Sequence, residues 1–306
     1  MKKVLVLVGP TAVGKTDFSI ELAKQFDGEI ISGDSIQVYR GFDIGSGKIS
    51  KEEMQDVSHS CIDILEPTDK YSVADFQANA REKIDEILSH QHLPMIVGGT
   101  GLYIKACIYD YTFEKQPDEY PELIKKYESM NNEELLDYLQ TIDPEQAQAI
   151  HPNNRKRLIR ACLIYDTTNI TKSEIIESQE HKPIYDALII GCTLPRELLY
   201  ERINQRVLKM IDLGLLDEIK SLLEKGVTFN DQAMQGIGYR EWSKYMSKEM
   251  TLDETIAEIQ KHSRQFAKRQ YTWFNNQTPI HWVDMSDEDA IKKTKELIEN
   301  WRNRSE

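Results

Sequence analysis

VLVLVGPTAVGKT, Val4 to Thr16, decides the fold of this chain. Its first five residues are an unbroken apolar run ending in Gly-Pro, the pattern of a parallel strand buried on both faces. The eight that follow, Gly9 to Thr16, satisfy G-x-x-x-x-G-K-[ST] at every position. Beyond them Phe18, Leu22 and Phe26 recur every four residues, which predicts a helix from Lys15 to Phe26. Strand, glycine loop and helix in this order make a phosphate cradle. Glycines let backbone amides turn inward, and the helix presents its positive N-terminus to phosphate oxygens. Gly9, Pro10, Thr11, Ala12, Val13 and Gly14 are the expected loop. Lys15 is its point charge, and the Thr16 hydroxyl is the expected ligand of a magnesium ion on the same phosphates.

Three further runs continue the pattern. EIISGDS (Glu29 to Ser35) reads as a second strand running into a polar turn, and PMIVGGTG (Pro94 to Gly101) as a third that ends in a glycine turn before the helical LYIKACI. DALIIGCT (Asp186 to Thr193) reads as a fourth. Strands alternating with helices predict an α/β fold: a P-loop, doubly wound, mainly parallel sheet. Residues 113–183 carry helical patterns such as NNEELLDYLQTID and NNRKRLIRACLIYD, with no strand, and are expected to be a helical insertion. Residues 1–112 and 184–306 are then the core, helical from Pro195 to the end.

Composition bounds the class. The chain has 306 residues, 40% of them hydrophobic and 29% charged, which suits a globular protein. Cys61, Cys107, Cys162 and Cys192 are scattered without a CxxC pair, so reduced thiols are expected, with neither a zinc knuckle nor a disulfide framework. Only five apolar residues precede Gly9-Pro10, too few for a signal peptide, and no later run has the length of a membrane span. A cytoplasmic protein without membrane contact is expected.

A net charge of −13 argues at first against a nucleic-acid partner, but the charge is segregated. Phe113 to Glu145 holds ten acids against three lysines, whereas HPNNRKRLIR (His151 to Arg160) carries four basic residues and no acid. HSRQFAKRQYTWF (His262 to Phe274) carries three and none. On a helix Lys156, Arg157 and Arg160 share a face, and Arg264 and Lys268 repeat the i,i+4 spacing. An acid-free cluster on an acidic protein suits phosphate contact, although a solvated helix face is the common alternative. Tyr271, Trp273 and Phe274 suit base stacking or a helical core equally well. His90 and His92 lack a third metal ligand, and His151 is expected to cap or orient the basic helix.

Asp34, at the end of the second strand, faces the P-loop's crevice in an open α/β sheet, where a carboxylate orients or deprotonates an acceptor. Thr100, at the end of the third, belongs to the same rim. These features alone also fit a small-molecule kinase, with HPNNRKRLIR as a lid over ATP. A guanine-nucleotide switch lacks its NKxD tetrad here.

Taken together, six ordered blocks resemble the bacterial tRNA dimethylallyltransferases, also called tRNA isopentenyltransferases: GPTAVGKT, ISGDSIQVYRGFDIGSGK, GGTGLYIKA, HPNNRKRLIRA, MQGIGYRE and RQFAKRQYTWF. The resemblance implies transfer of a dimethylallyl group from dimethylallyl diphosphate to the exocyclic amine of the adenosine 3′ of the anticodon, in tRNAs reading codons that begin with U. Gly9 to Thr16 would hold the diphosphate, Lys15 among them, with magnesium at Thr16. Asp34 would be the general base, and Asp34, Ser35, Ile36 and Gln37 would contact the target adenine beside Thr100. Contacts with the tRNA anticodon stem-loop are implied at Lys156, Arg157, Leu158, Ile159 and Arg160, and at Gln235, Gly236, Ile237, Gly238, Tyr239 and Arg240. They are implied again at Lys268, Arg269, Gln270, Tyr271, Thr272, Trp273, Phe274 and Asn275. A monomer is expected. Two departures stand out. Gly45-Ser46-Gly47-Lys48-Ile49 replaces the family's GTAKP, and Ile124 follows Pro121-Glu122-Leu123 where the family often has arginine, with Lys125 and Lys126 alongside.

Overall fold

The structure, a computed structural model, describes residues 1–113, 120–179, 181–277 and 279–304. Glu114, Asp118 and Glu119 of the acidic stretch lie outside them. Six strands form one sheet: β1 Lys3–Val8, β2 Gly28–Ser32, β3 His59–Ser60, β4 Leu93–Gly98, β5 Asp186–Thr193 and β6 His281–Asp284. Their order is β3-β2-β4-β1-β5-β6, and every neighbouring pair is parallel.

β1 is central because it is apolar on both faces. Leu5 lies opposite Met95 of β4 on one side and Leu188 of β5 on the other. Val4, Val6 and Val8 pack with Phe76, Ala80 and Ile84 on one face, and Leu5 and Leu7 pack with Phe18, Leu22, Ile298 and Trp301 on the other. All five β1 side chains from Val4 to Val8 are fully buried. At about 1.5–3 kcal/mol each they contribute on the order of 10 kcal/mol, an upper figure because the unfolded chain already buries part of that surface. The helices α1 Lys15–Phe26, α3 Val73–Ser89 and α4 Gly101–Ile108 cover this half of the sheet, while the short α2 Lys51–Met54 buries no residue. Strand order reverses at β1, so a crevice opens where β1, β2 and β4 end at Val8, Ser32 and Gly98.

Two compact units divide the chain, one of residues 1–109 with 183–306 and one of residues 110–182. The second begins before Phe113 because the Asp110 amide donates to the Lys182 carbonyl at 2.9 Å, closing the base of the inserted segment. It holds α5 Pro121–Ser129, α6 Asn132–Ile142, α7 Pro144–Ala149, α8 Arg155–Thr168 and α9 Lys172–Ser178. Its own core includes Tyr127, Leu135, Leu139, Leu158 and Cys162. Asn131 caps α6 and Glu134 reciprocates, a capping box written in NNEE. Asn154 makes no such side-chain bond at α8; instead His151 Nδ1 accepts the Asn153 amide at 3.1 Å, ordering the turn ahead of that helix. Buried Asp143 joins two elements: its carboxylate accepts the Gln146 amide at 3.2 Å and the Ser173 hydroxyl at 2.6 Å.

The remaining helices are α10 Arg196–Asp212, α11 Leu215–Glu224, α12 Trp242–Met246, α13 Leu252–Gln277 and α14 Ala290–Arg302. The expectation of helix throughout this region needs correction at β6, which pairs with β5 from Ile190 opposite His281 to Thr193 opposite Asp284. HWVD is only four residues long and partly exposed, so it offers no alternation long enough to register as a strand.

Candidate active site

β1 delivers the chain to Gly9, whose φ of 146° and position allow no side chain: a Cβ there would lie 2.6 Å from the Cys192 carbonyl oxygen of β5. Gly14 takes φ 100° as the N-cap of α1 and no side chain caps that helix, so its first amides stay directed at the loop. Ala12 adopts φ 64° within the same turn. Pro10 and Val13 complete the loop, with Val13 anchored in the core. The Lys15 ammonium arches back over it, donating to the Gly9 carbonyl at 2.9 Å and the Pro10 carbonyl at 2.7 Å. Burial lowers its pKa to about 8; the Arg206 charge acts in the same direction, while Cys192 and Asp34 oppose it.

Asp34 follows β2 by two residues. Its Oδ1 accepts the amides of Ile36 at 2.8 Å and Gln37 at 3.2 Å. The aspartate thus makes the turn that a merely structural role would require, and it does so with one oxygen; among the described residues Oδ2 takes no hydrogen bond. Thr100 lies across from it. Its amide donates to the Gly33 carbonyl at 3.4 Å, and its hydroxyl does not cap the helix α4 that it precedes. The two turns pack so closely that a Cβ on Gly98 would lie 2.4 Å from the Gly33 oxygen.

Lys15, Thr16, Asp34 and Thr100 line one cavity of about 440 Å³. Thr11, Ser35, Ile36 and Gln37 line it too, as do Gln235, Gly236, Ile237, Gly238, Tyr239 and Arg240, together with Arg269 and Gln270. Its charged lining comprises four cations, Lys15, Arg206, Arg240 and Arg269, against the single carboxylate of Asp34. In a chain of net charge −13 this is a local positive field. Arg206, on α10, was not legible as a site residue: it sits in a run whose only visible signal is helical periodicity. Gly47 leaves room for it, because a Cβ there would lie 1.9 Å from a guanidinium nitrogen.

A clamp holds the rim segment beside Arg206. Glu218 of α11 accepts the amides of Asp43 at 3.0 Å, Ile44 at 2.6 Å and Gly45 at 3.1 Å. Buried Lys48 donates to the Tyr39 carbonyl at 2.8 Å and pairs with Asp43 and Asp63 at 2.6 and 2.5 Å. The lysine kept in GSGK therefore pins this loop.

Other expected contacts divide by exposure. Lys268, Arg269, Thr272 and Trp273 line an open groove along α13, and Asn275 is exposed on the same helix. Phe274 and Tyr239 are buried, and Tyr271 turns its hydroxyl to Thr193 at 3.0 Å. These aromatic side chains belong to the core, and of the two readings open for Phe274 its 1% exposure selects the core one. Arg264 is committed to Asn204 at 2.5 Å. In the inserted unit Lys156 and Arg157 are exposed, Ile159 and Arg160 partly so, and Leu158 is fully buried in that unit's core. Arg155 is engaged by Asn132 and by the carbonyls of Tyr127 and Glu128. Lys172, which sequence spacing did not mark, is half-buried beside this cluster: burial and then the charges of Arg157 and Arg160 lower its pKa.

Comparison with known proteins agrees with this arrangement. The family model described as IPP transferase matches residues 37–277. The tRNA dimethylallyltransferase of Anoxybacillus flavithermus is 49% identical over 294 residues, covering 95% of this chain and 93% of that protein. The crystal structure of a tRNA delta(2)-isopentenylpyrophosphate transferase from Staphylococcus epidermidis matches with TM-score 0.74 and 42% identity over the whole of both chains. A eukaryotic dimethylallyltransferase acting on tRNA matches with TM-score 0.86 and 27% identity, covering 100% of this chain and 81% of that one. With its P-loop, its Asp34 turn and relatives of this identity along nearly its full length, the chain belongs to the IPP transferase family, that of the tRNA dimethylallyltransferases.

Proposed function

We propose that the chain transfers the dimethylallyl group of dimethylallyl diphosphate to the exocyclic N6 amine of the adenosine 3′ of the anticodon, in tRNAs that read codons beginning with U. One observation carries the reading. A diphosphate cradle and the Asp34 carboxylate open into the same cavity, among four cations and, among the described residues, no second acid.

An adenine amine is a weak nucleophile because its lone pair is delocalised into the ring, so ionisation of the electrophile supplies the driving force. The N6 lone pair forms the new bond to the allylic carbon as the carbon–oxygen bond breaks, and that bond's electrons leave on the diphosphate. Loop amides, Lys15 and Arg206 stabilise the charge growing there. One N6 proton passes to Asp34. It becomes acidic only as the C–N bond forms, so a carboxylate is a sufficient base. The adenosine leaves the anticodon stack to reach the cavity, and Lys156, Arg157, Lys268 and Arg269 offer phosphate contacts from exposed positions.

The donor set fits magnesium as an ion shared with the substrate. Thr16 places one hydroxyl in the cavity lining, and among the described residues no three His, Cys, Asp or Glu side chains gather to hold a metal by themselves. Magnesium keeps several waters and takes phosphate oxygens, so one protein hydroxyl suits it. When bound it supplies neutralisation of the diphosphate charge. Among the described residues no helix is long and apolar enough to cross a membrane. The P-loop and Asp34 would also suit a kinase, but the relatives of this chain are tRNA dimethylallyltransferases, which supports the transferase reading.

Incubation with dimethylallyl diphosphate, magnesium and tRNA, followed by mass spectrometry of the nucleosides, tests the proposal. A prenyl mass gain on the adenosine 3′ of the anticodon is expected. Phosphoryl transfer from ATP to a small acceptor, with no prenylated nucleoside, would overturn it.

A further inference from the structure

Gln270, on α13, is 5% exposed and lines the cavity. Its Nε2 donates to the Gly99 carbonyl at 2.9 Å. Its Oε1 is buried and has no hydrogen-bond partner among the described residues. The Gly99 oxygen requires a donor, so the amide nitrogen faces it and the side-chain oxygen is directed away. Gly99 itself makes the approach possible, since a Cβ would lie 2.2 Å from that nitrogen. A buried acceptor left unpaired is unfavourable and uncommon in native interiors. This one stands at the turn that pairs with the Asp34 turn, where the Thr100 amide meets the Gly33 carbonyl.

We infer that Gln270 is a positioning residue whose Oε1 accepts a hydrogen bond from the target amine. The inference rests on the transfer reading above. Of the two reactants, the diphosphate ester offers only acceptors when ionised, and the allyl group offers no polar hydrogen. On the adenine base the only donors are the two N6 hydrogens. Asp34 receives one as a proton; the other stays on N6 and donates to Gln270. As the N6 lone pair bonds to carbon and the carbon–oxygen pair leaves with the diphosphate, the retained N–H keeps the amine oriented, and its polarisation raises electron density on N6. Guanine would turn a carbonyl oxygen toward both Asp34 and Gln270, so the same acceptor selects adenine.

The test is a double-mutant cycle across protein and RNA. Binding is measured for an anticodon stem-loop carrying adenosine, purine riboside or 2′-deoxyadenosine at the target position, to the wild type and to Gln270→Met, which preserves volume without polar atoms. Amine deletion should weaken the wild type about tenfold more than the variant, the scale of one unmade hydrogen bond. Gln270→Glu, held protonated by burial, still donates to the Gly99 carbonyl and retains an acceptor, so it should keep that difference, which provides a second reading if the methionine variant folds poorly. Equal loss in wild type and both variants would overturn the assignment and leave the oxygen to water. A difference that follows the 2′-hydroxyl would overturn it in favour of the ribose. Wild-type transfer to the adenosine stem-loop is scored in parallel, so failure of the reaction itself is told apart from failure of this residue's role.

Discussion

The hydroxyl of Tyr239 donates to Glu218 at 2.8 Å and accepts the Ser46 amide at 2.9 Å. One fully buried side chain therefore joins the cavity-lining stretch around Tyr239 to the loop that carries Ser46 and Gly47. Burial, reinforced by the Glu218 carboxylate, raises its pKa and keeps the phenol a donor. Tyr239→Phe removes one oxygen and leaves Ser46 without its acceptor. A loss of about 1–3 kcal/mol is expected in urea unfolding, the usual consequence of orphaning a buried group. Faster amide exchange at Ser46 should accompany it, and unchanged exchange would show that Glu218 alone holds the loop.

The difference between what the sequence discloses and what it conceals follows from range. Val4 to Val8, the glycine loop and α1 are legible because composition and spacing over the twenty-three residues from Val4 to Phe26 record burial on both faces and a helical stripe. Asp34 and Thr100 are legible through the rule that ligands gather where parallel strands end. Arg206 is not, because its helix's periodicity says only that one side is apolar; Gln270 is named only through the family resemblance, and the periodicity of its own helix does not place it in the cavity. What turns them into cavity residues is a distant backbone: Gly47 beside Arg206, and Gly99 beneath Gln270. Phe274 shows the converse, an aromatic residue in a basic block that tertiary packing takes into the core.

Asp34→Asn retains the turn, since an amide oxygen still accepts from Ile36 and Gln37, but it no longer takes a proton. Transfer is expected to fall by about 10²–10⁴-fold, the range of general-base catalysis. Diphosphate affinity should change little, because the loop and Lys15 are untouched. Single-turnover prenylation and a separate diphosphate titration measure the two quantities. Turnover within a few-fold of wild type would remove Asp34 from the proton path.

Lys15 gives a pH dependence of definite sign. Its pKa in the free protein is about 8, below the ordinary lysine value of 10.5 chiefly through burial. Folding therefore disfavours its proton, whereas a bound diphosphate favours it, so binding takes up a proton above pH 8. Affinity for a diphosphate monoester should be level in this respect below pH 8 and fall by up to about tenfold per unit above it. Calorimetry in buffers of different ionisation enthalpy reads the proton uptake directly. Lys15→Arg stays charged throughout and should abolish the dependence; the same fall in that variant would assign it to another group.

The inserted unit supplies the last prediction. Lys156 is exposed on α8, and Lys172 lies at the start of α9 close enough to Arg157 and Arg160 for their charges to act on it. Burial and these two cations press the Lys172 ammonium toward the neutral form, a strain that an RNA phosphate would relieve. If Lys156 and Lys172 each neutralise one phosphate of a single-stranded anticodon loop, each contributes about 0.7 to the slope of log affinity against log salt. Lys156→Ala with Lys172→Ala should then reduce the magnitude of that slope by about 1.4, with affinity falling most at low salt. Prenylation at saturating tRNA should stay near the wild-type rate, because neither residue lines the cavity. A slope equal to that of the wild type would make this cluster an ordinary solvated helix face and leave the salt dependence to the exposed cations of α13.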